Sequence, residues 1–289
     1  MITSTTHTTP HGDILELSLA RPDKRNALTP EMLTALRDHI AAGAARTSAV
    51  PVSDAPDALH QRAGASSPRR SELPNSPTLA SPANLLPPRV LLLSGQGPAF
   101  CAGFDLSLCK DHPDGSVMRA LLSGLHDCIA ALRSLDIPVV IAAHGSAIAG
   151  GCALLGGGDI ILTNVQAKIG YPVPRLGVSP AVSAPFLRDL THDGNARARL
   201  VENTLIDGRA ALRLGLAHEC LDSADAVHPR ALAISAELAS KSAAALAATK
   251  RWLAEIAPIL NADSGLQASL LLTGGEEERR LLPQAWSRS

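Results

Sequence analysis

The sequence of this 289-residue chain predicts an α/β fold. Three observations carry that prediction. Short apolar runs at 90–93, 139–143 and 159–163 read as strands buried on both faces. Helix-spaced stretches lie between them, as βαβ crossovers require. Glycine-bearing turns follow two of these strands, and ligands of open α/β sheets bind at such strand ends.

Taken in order, residues 13–19 alternate Leu15, Leu17 and Leu19 with Glu16 and Ser18, a period of two that predicts a half-buried strand. Thr29 then caps a predicted helix with Pro30 in its first turn, where a missing N–H is harmless, and Leu33, Leu36 and Ile40 form its apolar stripe. Residues 46–88 differ in character: 8 of the 21 prolines fall there, and Ile, Phe, Tyr and Trp are absent. That composition buries too little apolar area to offset the entropy of ordering, so the segment reads as a disordered insertion in a surface loop. Apolar residues at Val117, Leu121, Leu125, Ile129 and Leu132 predict a helix over 116–135. The run at 139–143 ends at His144-Gly145, and a short helix opens at Gly150-Gly151. Ser179-Pro180 is a further cap signal, and helices are expected from about 191, 209, 226 and 242. The expected organisation is a core formed by 1–45 and 89–190, the 46–88 insertion, and a helical C-terminal region over 191–289.

Composition narrows the function. A formal net charge of −1 lacks the basic excess of a nucleic-acid-binding domain, and 2% aromatic residues leave little to stack on bases. The opening MITSTTHTTPHGD is polar and has no apolar stretch of a secretory signal. The longest apolar candidate for a membrane span, 138–155, is broken by His144 and by glycines. Cys101, Cys109, Cys128, Cys152 and Cys220 form no C-x-x-C pair. They argue against a disulfide framework or a zinc site and suit a reducing cytoplasm. The expectation is a cytoplasmic protein with no metal, no tightly bound cofactor, and no nucleic-acid or membrane partner.

Two turns carry the chemistry, one over 97–106 and one over 144–151. Glycines let the backbone approach a ligand, and the helix opening at Gly150-Gly151 presents free N–H groups to a developing negative charge. Two such N–H groups converging on one oxygen form an oxyanion hole, each donor contributing roughly 3–4 kcal/mol of transition-state stabilisation. On spacing alone, tight turns without a ligand fit equally well.

Beyond spacing, five blocks occur in sequence: RPDKRNALT at 21–29, LLSGQGPAFCAGFDL at 92–106, PVVIAAHGSAIAGGCALLGGGDIILT at 138–163, YPVPRLGVSP at 171–180 and LIDGRAALRLGLAHEC at 205–220. The chain resembles the crotonase (enoyl-CoA hydratase/isomerase) superfamily across all of its length except the insertion and the two ends. The resemblance implies a crotonase-like spiral of ββα turns with a helical C-terminal region, assembled as a homo-trimer or hexamer. It implies a coenzyme A thioester as substrate, its enolate oxygen held by the backbone N–H groups of Phe104 and Gly150. Lys24, Ala27, Ala102, Asp105 and Leu106 match positions that contact CoA, and Tyr171 is a candidate for the acyl pocket.

The resemblance also has gaps. The two hydratase glutamates correspond here to Ala153 and Val173, and a carboxylate used by several isomerases corresponds to Ala181. None of these side chains can move a proton. Ala149 stands where the first glycine of a triple-glycine run is usual, and His144 where Asn is usual. His126 matches a catalytic histidine of a dehalogenase in the family, although a helical histidine with no chemical role accounts for it as well. Cys101 and Cys152, beside the two turns, read as small packing residues. Two functions remain open: an acyl-CoA enzyme that stabilises a thioester enolate, and a catalytically silent acyl-CoA-binding pseudoenzyme or oligomer partner. In a third reading, the 46–88 segment is an interaction tether and the core a scaffold.

Overall fold

The computed structural model describes residues 1–48 and 87–286. Among these residues eight strands form two sheets: β1 (Ile2–Thr9), β2 (Gly12–Leu19), β3 (Pro88–Gly95), β4 (Val139–Ala143), β5 (Ser146–Ile148), β6 (Ile160–Asn164), β7 (Lys168–Gly170) and β8 (Glu219–Leu221). The main sheet has the order β1-β2-β3-β4-β6-β8 and is parallel apart from the antiparallel β1–β2 hairpin. β5 and β7 form a separate parallel pair. The helices are α1 (Pro30–Ser48), α2 (Ser116–Arg133), α3 (Gly150–Leu154), α4 (Ala184–Glu202), α5 (Gly208–Arg213), α6 (Val227–Ala239), α7 (Ala243–Ile256), α8 (Ala262–Leu270) and α9 (Glu276–Leu281).

The apolar strands are buried on both faces because both faces are covered. Leu15, Leu17, Leu91, Leu93 and Ile141 face the main core with α1 and α2. Ile14, Val90, Leu92, Val140 and Leu162 face the other way and pack against Val227, Ala231, Ile234 and Leu238 of α6. This double cover corrects the half-buried reading of residues 13–19, since every residue of β2 is buried. Glu16 and Ser18 therefore lie inside, in a polar cluster. Glu16 accepts hydrogen bonds from Ser94 (2.6 Å) and Ser18 (3.1 Å), and pairs with His228 of α6 (2.8 Å) and His7 of β1 (2.6 Å).

Other local expectations meet their mechanisms. The Thr29 hydroxyl accepts the Met32 N–H at 3.2 Å and caps α1. Ser179 accepts the Ala181 N–H and caps a 3-10 turn over Pro180–Ser183 that leads into α4. β1 was not expected: its five threonines read as a polar start, yet β-branched residues suit an edge strand. β8, three residues long, also escaped the sequence reading. The expected insertion lies outside the described residues over 49–86. At its edges α1 runs on to Ser48 and β3 opens at Pro88, so both boundaries fall inside regular elements. Among the described residues no single helix is long and apolar enough to cross a membrane.

Candidate active site

The two glycine turns are locked together by backbone. Phe100 N–H donates to the His144 carbonyl (2.8 Å), Cys101 N–H to Ser146 (2.9 Å), and Ile148 N–H returns to Cys101 (3.0 Å). Gly145 makes this approach possible: its φ is +66°, and a Cβ there would stand 2.1 Å from the Pro98 carbonyl oxygen. The His144 imidazole adds a bond from Nε2 to the Gly97 carbonyl (2.8 Å), so this side chain ties the turns instead of serving the chemistry.

The 21–29 loop is fastened to the first turn in the same way. Leu28 N–H donates to Gly103, and Asp105 N–H donates to Leu28. Asn26, fully buried, donates to the Gln96 and Ala99 carbonyls (2.8 Å each) and accepts from the Arg21 N–H. Arg21 reaches the Ala27 carbonyl (2.8 Å) and the Asp105 carboxylate (2.9 Å). Burial would raise the Asp105 pKa, but bonds from Ser107 and Arg21 outweigh it and hold the carboxyl below its ordinary value. Sequence reasoning missed Arg21 and Asn26. A loop asparagine carries no sign that it will be buried.

Behind the turns lies a cavity of ≈ 140 Å³. Its front is formed by Ala102, Phe104, Leu106 and Gly150, and its back by Met118, Leu122 and Leu125 of α2. Val173, Leu176, Val178 and Val182 close the remaining side, with Tyr171, Ser179 and Ser183 as the only polar side chains in the lining. Among the described residues, neither the Phe104 N–H nor the Gly150 N–H has a hydrogen-bond partner. The two residues also touch: a Cβ on Gly150 would meet the Phe104 ring at 2.9 Å.

Five of the nine candidate residues named from sequence thus share one cavity: Phe104, Gly150, Ala102, Leu106 and Tyr171. Ala27 and Asp105 are outside the lining and are held together by Arg21, and Lys24 is exposed on a 3-10 turn. His126 is not brought there. Its buried ring packs near Phe186, and its Nε2 has no hydrogen bond and stands 3.4 Å from Asp263 of α8. Residue 126 lies about 40° round α2 from lining residue Leu122, at the edge of the face turned to the cavity, and packing against Phe186 and Asp263 turns its ring away. Of the three positions matched to carboxylates, only Val173 lines the cavity; Ala153 is buried within α3.

Titration follows burial. The Tyr171 phenol is pushed well above its ordinary value by burial and by the adjacent Cys152 thiol, with Ser183 opposing, so it stays a neutral hydrogen-bond donor. Burial pushes both Cys101 and Cys152 up to about 12, which removes either as a nucleophile. Glu278 of α9 is a buried carboxyl raised by burial, but it accepts the Gly274 N–H at 3.0 Å and does not line the cavity. The Trp286 indole N–H donates to the Leu106 carbonyl (2.9 Å), which brings the C-terminal segment against the first turn. Among the described residues no group of three His, Cys, Asp or Glu side chains is placed to hold a metal ion.

The family model described as Enoyl-CoA hydratase/isomerase matches residues 87–271. The chain belongs to the enoyl-CoA hydratase/isomerase family. It is thereby a member of the crotonase superfamily and of an acyl-CoA enzyme family. A probable enoyl-CoA hydratase, echA6, of Mycobacterium leprae is 26% identical over 278 residues, covering 95% of this chain and 87% of that protein. Methylglutaconyl-CoA hydratase 1 of Pyricularia oryzae is 28% identical over 83% of this chain and 64% of its own length. In structure, an enoyl-CoA hydratase/isomerase from Xanthobacter autotrophicus Py2 superposes with a TM-score of 0.75 at 21% identity, covering 98% of this chain and 93% of that one. The α/β architecture and the crotonase-type spiral expected from sequence are therefore the fold of this protein.

Proposed function

We propose that the chain is an acyl-CoA enzyme of the hydratase/isomerase type that holds the thioester carbonyl between the Phe104 and Gly150 N–H groups. One observation carries the reading: two residues with unpartnered N–H groups, on two turns locked to each other, line a single apolar cavity. Preorganised donors in such a cavity stabilise an enolate oxygen without reorganising during the reaction. Ala102 and Leu106 would border the pantetheine portion, and Lys24, Ala27 and Asp105 the adenosine end. The homo-trimer or hexamer that the resemblance implies would cover α7, which buries none of its residues and exposes Trp252, Leu253 and Ile256. Five unpaired thiols suit a reducing compartment such as the cytoplasm.

A second reading is supported by the lining itself, which holds no carboxylate, imidazole or amine. General acid–base groups contribute roughly a hundred- to ten-thousand-fold, so a site without them is suited to binding more than to turnover. In this reading the chain is an acyl-CoA-binding pseudoenzyme. Mass spectrometry of saturated, 2-enoyl and 3-enoyl thioesters incubated with the protein in heavy water separates the two. The enzyme reading expects hydration or α-proton exchange above the protein-free control, falling roughly a hundred-fold in Gly150→Val. Binding by calorimetry with no mass change across the panel would establish the silent reading instead.

A further inference from the structure

The cavity walls are selective in charge. Its back wall, Met118, Leu122 and Leu125, is apolar and buried. The basic side chains on the elements that build the walls all turn elsewhere. Arg119 donates to the Thr273 and Asp114 carbonyls, and Arg133 to the Gly156 carbonyl and Asp189. Arg175, between lining residues Val173 and Leu176, donates to Asn203 at 3.1 Å. His126 faces Asp263. A carboxylate carried into this space by the acyl group would lose its water and find no cation, a cost of several kcal/mol per ion.

The polar side chains of the lining are Tyr171, Ser179 and Ser183. Ile148 pairs with Gly170 in the β5–β7 ladder, and Ala149 N–H donates to the Gly170 carbonyl at 2.8 Å. Tyr171 follows directly on the residue that is bonded beside Gly150, and it lines the same cavity. Ser183 supports that phenol, which remains protonated and serves as donor.

Building on the acyl-CoA reading, we propose that this cavity selects neutral acyl groups, rejects those that carry a free carboxylate, and uses Tyr171 to bind a neutral oxygen of the acyl group. Tyr171 is thus a specificity-determining residue. A malonyl-type thioester, whose decarboxylation would need no protein base, is a poor fit for the same reason.

Calorimetry on the full chain with matched thioesters tests this. Pentanoyl-CoA and glutaryl-CoA differ only in a terminal methyl against a carboxylate, and pentanoyl-CoA is expected to bind roughly a hundred-fold more tightly. Leu176→Arg, at a partly exposed wall position, should narrow or invert that ratio. Tyr171→Phe should weaken 3-hydroxybutanoyl-CoA about tenfold and leave butanoyl-CoA unchanged. Equal binding of the pentanoyl and glutaryl thioesters, or an equal loss of both four-carbon thioesters in Tyr171→Phe, overturns the proposal and leaves the acyl-CoA reading standing. If no thioester binds, the acyl-CoA reading itself fails. Should Leu176→Arg not fold, the parent pair and Tyr171→Phe decide between these outcomes.

Discussion

The two sides of the main sheet treat buried polarity in opposite ways. On the side covered by α6, Glu16 is buried and fully answered, with Ser18, Ser94, His7 and His228 converging on one carboxylate. On the side of α2, the cavity is lined by no charged side chain, and its hydrogen-bonding capacity lies in two backbone N–H groups and three hydroxyls. A buried charge persists only where partners are built around it. This protein uses its buried charge to dock a helix to a sheet, and in the proposed function it is backbone that receives an anionic oxygen.

The sharpest way to break the comparison is to remove the carboxylate on the α6 side. Glu16→Ala leaves the Ser18–Ser94 hydroxyl pair, 2.6 Å apart, buried with one donor unanswered, and should cost about 1–3 kcal/mol of stability. The His228 share is small because that side chain is 42% exposed and screened. Acyl-CoA affinity should not change. The pH dependence has a definite sign. Burial raises the Glu16 pKa, but hydrogen bonds from His228, Ser94 and His7 outweigh it and bring it from 4.5 to about 2. Its stabilisation is present above pH 4.5 and is lost as pH falls toward 2. The Glu16 bond raises His228 above its ordinary 6.5, so that contribution is present below 6.5 and lost as pH rises through the folded value. Urea melts should show a plateau between 4.5 and 6.5 in the parent and none of this curvature in Glu16→Ala. An unchanged melting profile would mean that the cluster is not what docks α6.

The opposite operation adds a carboxylate on the α2 side. Val173 lines the cavity and is partly exposed, so a Val173→Glu carboxylate keeps some water and reaches the substrate space. Hydration of a 2-enoyl-CoA should rise about a hundred-fold over the parent, read by absorbance of the conjugated thioester. Ala153→Glu should not do this, because Ala153 is buried and outside the lining, and its carboxylate would be stranded. A folded Val173→Glu protein with no gain would show that the acyl group does not pass this wall.

Much of this was legible before the structure. The apolar runs at 90–93 and 139–143 announced strands covered on both faces, and the glycine turns marked the cavity front. The cluster at Glu16 was not legible, because a period of two in Leu15, Leu17 and Leu19 says only which face is apolar. Whether the other face meets water depends on α6, more than 200 residues away in sequence. The fate of His126 was hidden for a related reason. Helical periodicity identifies an apolar stripe, but tertiary packing decides which edge of the stripe opens on the cavity.

The smallest expected effect concerns the residue that joins the two turns. Ala149 has φ 51° and ψ −111°, a conformation that glycine adopts freely and a side chain resists. It also stands where the resemblance expects glycine. Such strain costs on the order of 1–3 kcal/mol, while glycine in its place loses roughly 0.5–1 kcal/mol through the freedom of the unfolded chain. Ala149→Gly should therefore stabilise the protein by about 1 kcal/mol, a rise in Tm of about 3 °C. The Ala149 N–H bond to Gly170 survives the change, so the Gly150 N–H keeps its direction and thioester binding should hold within about twofold. A lower Tm would show that the backbone here is not strained. A higher Tm with binding lost would show that the alanine methyl, 3.3 Å from where a Gly103 Cβ would lie, is itself part of how the two turns are spaced around the ligand.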